Sequence, residues 1–165
     1  MIGSAAVVQS SDEPEAAEMA LCFLQSIGYH GIFGAELKKH SITGELHFIE
    51  INPRTSLWFS VSEAAGCPVV QQSFLDLAKP NATALRSDQQ HGVRWRYWLK
   101  DTATQAEYIL RPRAVFPKPQ MNDAGPVRKK TWAVFEPSDP RPALVEPLGL
   151  ARKFIRRLFK SPTTK

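Results

Sequence analysis

Gly31-Ile32-Phe33-Gly34-Ala35-Glu36-Leu37-Lys38-Lys39 and Leu46-His47-Phe48-Ile49-Glu50-Ile51-Asn52, linked by a short segment containing Gly44, alternate apolar with polar side chains. Alternation of period two sends successive side chains to opposite faces of a strand, and a short glycine-containing link joins two strands as a β-hairpin. Ala35 and Leu37 on the first strand and Ile49 and Ile51 on the second are expected on the buried face, which sets the register. A loop from Ser41 to Glu45 satisfies it. His40 then pairs with Leu46, Glu36 falls directly opposite Glu50, and Asn52 lies two residues farther along the same face. Like charges placed opposite one another weaken a sheet, so this pair calls for a compensating cation. Magnesium prefers oxygen ligands and is commonly held by a few carboxylates together with substrate phosphates, which suits two glutamates and one asparagine amide oxygen.

The run Phe48-Ile49-Glu50-Ile51-Asn52-Pro53-Arg54, preceded by Gly34-Ala35-Glu36-Leu37-Lys38 and followed by Ala64-Ala65-Gly66, resembles the C-terminal metal-binding segment of the ATP-grasp superfamily. The likeness is greatest to its carboxylate-amine ligases. That family places an acidic metal ligand on one strand and a Glu-x-Asn-x-Arg pattern on the next, and Glu36, Glu50, Asn52 and Arg54 match position for position. The resemblance implies that Glu36, Glu50 and Asn52 hold magnesium (or manganese) against the phosphates of ATP. It implies Arg54 as the catalytic residue, steadying the transferred phosphoryl group or acyl-phosphate, with Lys38 as a further nucleotide-binding position. The reaction implied is ATP-dependent activation of a small carboxylate for capture by an amine. Catalysis of this kind rests on positioning and on stabilising charged oxygens. The same resemblance places a nucleotide lysine, a glycine-rich loop and an adenine hinge on upstream lobes. Those features are not among the 165 residues, so the expectation is a truncated chain, inactive without an N-terminal lobe or partner subunit.

Outward from the hairpin, Asp12 to Glu15 has the form of a capping box, and Ala17, Ala20, Leu21, Leu24 and Ile27 recur at helical spacing. A helix from Glu13 to Ile27, closed by Gly28, is predicted. Downstream, Ser56 to Ala65 reads as helical up to Gly66, and Pro68 opens another helix with Val70, Phe74 and Leu77 as apolar positions. Val93, Trp95, Tyr97 and Leu99 alternate with Arg94, Arg96 and Lys100 as in a strand. From Pro112 to Pro147 the chain holds eight of its thirteen prolines, which predicts short, loop-like structure. A helix from Leu150 to Lys160 follows, with Phe154, Ile155, Leu158 and Phe159 on one side and basic residues around the rest; docking on its own domain is the expectation, with membrane-surface binding as the alternative.

The fold class expected is α+β: a partial ATP-grasp fold with an antiparallel hairpin, flanking helices, a proline-rich tail and a C-terminal helix. Residues 1–110 form the subdomain, 111–147 an arm, and 148–165 a basic helix and tail. Cys22 and Cys67 have no partners at zinc-ligand spacing, and no stretch reaches the roughly 20 apolar residues of a membrane span, which together point to a cytoplasmic protein. The net charge of +5 is concentrated in the second half. No nucleic-acid motif accompanies it, which argues against a nucleic-acid partner. The rival reading is a non-catalytic basic interaction module derived from the same fold. A metal-dependent hydrolase ranks last, because it needs a further ligand or base.

Overall fold

The structure is a computed structural model that describes residues 5–79, 83–85, 88–110 and 125–158, without the side chains of 150 and 153–158. It is a mixed α+β arrangement in which β1 (Val7–Gln9), α1 (Pro14–Ser26), β2 (Gly34–Lys39), β3 (Leu46–Asn52), α2 (Ser60–Ala64), α3 (Val69–Ala78), β4 (Val93–Arg96), α4 (Trp98–Leu110), β5 (Lys129–Trp132) and α5 (Arg141–Leu158) follow in order. Two small sheets result: β2 pairs with β3, and β1, β4 and β5 form a second sheet with β4 in the middle. The chain divides into two compact units, one spanning 7–95 and 119–131, the other 1–6, 96–118 and 132–165.

In the first unit, α1 begins at Pro14, whose fixed φ and missing N–H suit the opening turn. The expected capping box does not form. Glu13, not Asp12, is the N-cap and it makes no side-chain cap bond, because Pro14 at N1 moves the helix frame one residue along. At the other end Gly28 takes φ +64°, with Gly28 N–H donating to Gln25 and Tyr29 N–H to Leu24. α2 ends the same way at Gly66, with Gly66 N–H on Glu63 and Cys67 N–H on Ser62. Both are helix ends closed through a left-handed glycine.

The core of this unit gathers Leu24 and Ala20 from α1, Phe59, Val61 and Ala65 around α2, and Val93 and Trp95 from β4. Trp95 is fully enclosed, and burial of such a side chain stabilises by about 2–3 kcal/mol. The apolar α3 positions Val70, Phe74 and Leu77 are exposed. β4 hydrogen-bonds β1 through Ser10 N–H to Val93 and Gly92 N–H to Ser10. On its other side Arg128 N–H reaches Gly92 and Ala133 N–H reaches Arg96, an offset that advances in parallel.

The strand expected to continue through Leu99 stops at Arg96. The aromatic alternation there overstated the strand, because the polar residues Asp101, Thr102 and Gln105 carry helical bonding. Asp101, buried in the first turn of α4, accepts from Nε and Nη2 of Arg96 at 2.5 Å each and from Gln105 at 3.2 Å, and its own N–H donates to the Tyr97 carbonyl. In this second unit α5 starts at Arg141 rather than Leu150. The loop-like reading of 112–147 therefore fails at β5 and at the first turns of α5; residues 111–124 lie outside the description. Pro142 is accommodated in the opening turn of α5, and Pro147 lies within it. Tyr97 O–H donates to Glu146 on α5, and Lys100 Nζ stands 5.1 Å from the centre of the Tyr97 ring.

Candidate metal centre

The hairpin register brings Glu36 directly opposite Glu50, Ala35 opposite Ile51 and Gly34 opposite Asn52, as expected. Toward the turn the expectation fails. Leu37 faces Phe48, Lys38 faces His47 and Lys39 faces Leu46, because one extra residue, Ile49, bulges between the two registers. The loop therefore runs from His40 to Glu45 and is closed by His40 N–H on the Glu45 carbonyl, with Thr43 bonded to both His40 Nδ1 and Glu45 Oε2.

The bulge has a physical reason. In an unbroken strand Leu46 and Phe48 would share the face of Glu50 and Asn52, leaving two large apolar groups outside. The extra residue reverses the phase, so Leu46 and Phe48 turn inward with Ile51, and Phe48 packs on Phe23 of α1 with ring centres 5.8 Å apart. Ile49, expected on the buried face, is 59% exposed.

On the outer face Glu36 and Glu50 are exposed, and residues opposed in this way have Cβ atoms about 4.5–5.5 Å apart. Asn52 is half-buried and its Nδ2 donates to Glu50 Oε1 at 2.7 Å, which turns the amide oxygen away from that carboxylate. Glu36 and Glu50 thus share this face as hard oxygen donors of the kind magnesium or manganese prefers, and the Asn52 amide oxygen could join them only if its amide turned over and gave up the bond to Glu50. Among the described residues no group of three or more His, Cys, Asp or Glu side chains is placed to hold a metal ion.

The structure separates the remaining expected residues. Lys38 lies two residues beyond Glu36 on the same face, opposite His47. Arg54 sits past the end of β3, its N–H on the Asn52 carbonyl and its Nη1 on the Thr55 carbonyl at 3.4 Å. Its guanidinium is therefore directed along the chain, not at the carboxylates. His47 was not singled out from the sequence; only the bulge places it beside Lys38.

Behind the hairpin is a cavity of about 1030 Å³, bounded by α1, the inner residues Ala35 and Leu37, Phe59 and α3. It lies on the face away from Glu36 and Glu50. Its polar rim includes Glu13, Asp76 and His91. Among the described residues no helix is long and apolar enough to cross a membrane. Comparison with protein-family models, with curated proteins and with solved structures returned no match for the chain.

Proposed function

We propose that this chain carries the metal- and phosphate-holding half of an ATP-dependent carboxylate-amine ligase of the ATP-grasp kind. The observation behind the reading is the pair Glu36 and Glu50, opposed across the hairpin with Asn52 hydrogen-bonded to Glu50. A sheet does not gain from facing two carboxylates, so the arrangement makes sense as a cation site. Glu36, Glu50 and Asn52 would hold the divalent ion; when bound, it offsets the charge of ATP phosphates. Lys38 and Arg54 supply cations on either side, Arg54 once its guanidinium leaves Thr55. The substrates are a small carboxylate, activated as an acyl-phosphate, and an amine. Both cysteines are free, which suits the cytoplasmic setting proposed.

The test is manganese binding followed by electron paramagnetic resonance, with and without ATP. Wild-type chain is expected to retain manganese, more tightly with ATP, and Glu36→Ala or Glu50→Ala to lose at least about tenfold in affinity. Retention unchanged in both variants would sink the reading.

A further inference from the structure

We propose that α5 lies on anionic membranes, with its outward face in the lipid headgroup region. Leu144, Val145 and Leu148 are 70%, 62% and 65% exposed; the face expected to dock, Phe154, Ile155, Leu158 and Phe159, lies outside the described side chains. Leu144 and Leu148 are four residues apart and share a stripe. Arg141 precedes Leu144 by three residues and Arg152 follows Leu148 by four, both exposed, so the apolar stretch has a basic side chain at each end. Such side chains lay their carbon stems along an apolar surface while the charge reaches phosphate.

Charge selects the partner. The helix sequence contains Arg141, Arg152, Lys153, Arg156 and Arg157 against one acid, Glu146. Glu146 is half-buried, accepts from Tyr97 O–H and lies on the side of the helix opposite Leu144 and Leu148, leaving five basic residues against one acid. Exposed leucines flanked by Arg141 and Arg152 match a surface that is apolar beneath and anionic above, which describes an acidic lipid leaflet. Nucleic acid would use the arginines and leave the leucines in water. At 18 residues with five cations the helix lies in the interface plane and does not span it. Pro147 and Gly149 weaken its intrinsic helicity, and an interface that rewards amphipathic order compensates.

The experiment is cosedimentation of the full chain with vesicles of phosphatidylcholine alone or mixed with phosphatidylserine, with helicity followed by circular dichroism. Binding to the phosphatidylserine vesicles, weaker at high salt, with a rise in helicity, is expected. The double variant Leu144→Glu/Leu148→Glu should bind at least about tenfold less tightly. Arg152→Glu should weaken binding to the acidic vesicles specifically. All these positions are exposed, and an unchanged tryptophan spectrum would verify folding. Three results would overturn the proposal: no binding to phosphatidylserine vesicles, binding that survives the double glutamate variant, or a concentration-dependent dimer abolished by that variant without vesicle binding. Manganese retention is measured separately, so failure here leaves the hairpin reading standing and the reverse also holds.

Discussion

Glu36 stands directly opposite Glu50, one step beyond the bulge that Ile49 makes in β3. Without a cation these two charges repel across the ladder, so in the proposed metal site stability and binding would pull in opposite directions. Glu36→Gln removes the repulsion and leaves the Asn52 bond to Glu50 intact. Urea denaturation without metal should find it more stable by about 0.5 kcal/mol, while its manganese affinity falls.

Ile49 is the residue in excess. Deleting it leaves Leu46-His47-Phe48-Glu50-Ile51-Asn52, a regular alternation with Leu46, Phe48 and Ile51 inside and His47, Glu50 and Asn52 outside. The deletion should cost less than about 1 kcal/mol and preserve manganese retention. Deleting His47 removes the bulge in the opposite sense and turns Phe48 outward, away from Phe23, for a loss of about 2 kcal/mol or more. Denaturation midpoints of the two deletions compare them directly.

Gly92 takes φ +79°, and a Cβ there would meet the Pro126 carbonyl oxygen at 2.5 Å and Arg128 N at 3.3 Å. These are backbone atoms that hydrogen-bonding holds close, since Arg128 N–H donates to the Gly92 carbonyl. Gly92→Ala is expected to destabilise by about 2–3 kcal/mol, from the left-handed conformation and the clash together. Thermal unfolding measures it.

The hydrogen bond to Glu146, then burial and the charge of Glu146, push the Tyr97 hydroxyl up to about 12 from its ordinary value near 10. Folding favours the protonated phenol. Its contribution is complete below pH 10 and declines as the pH climbs toward 12, because the unfolded phenol ionises first. Tyr97→Phe should lower neutral-pH stability by about 1 kcal/mol and flatten this alkaline decline, as read from denaturation at a series of pH values.

The hairpin, α1 and the opposition of Glu36 and Glu50 were legible because each rests on local periodicity. Ala35, Leu37 and Ile51 repeat with period two, and Ala17, Ala20, Leu24 and Ile27 with the helical period. The bulge was not legible from an assumption of unbroken alternation, although Leu46 and Phe48 on the same parity as Glu50 were its trace. The end of β4 was obscured because Trp95, Tyr97 and Trp98 favour strands in general, whereas Asp101 pairing with Arg96 decides the local outcome. Prolines hid the start of α5: Pro142 falls in the first turn, where its missing N–H has no partner to lose. The direction of the Arg54 guanidinium depends on a single contact with Thr55, which no pattern encodes.

The hairpin is one backbone thick, with carboxylates on its outer side and the 1030 Å³ cavity against Ala35 and Leu37 on its inner side. Glu36 is the chain neighbour of both inner residues, so the carboxylate outside and the cavity wall inside hang from one stretch of backbone, and a substitution at Ala35 or Leu37 acts on both faces at once.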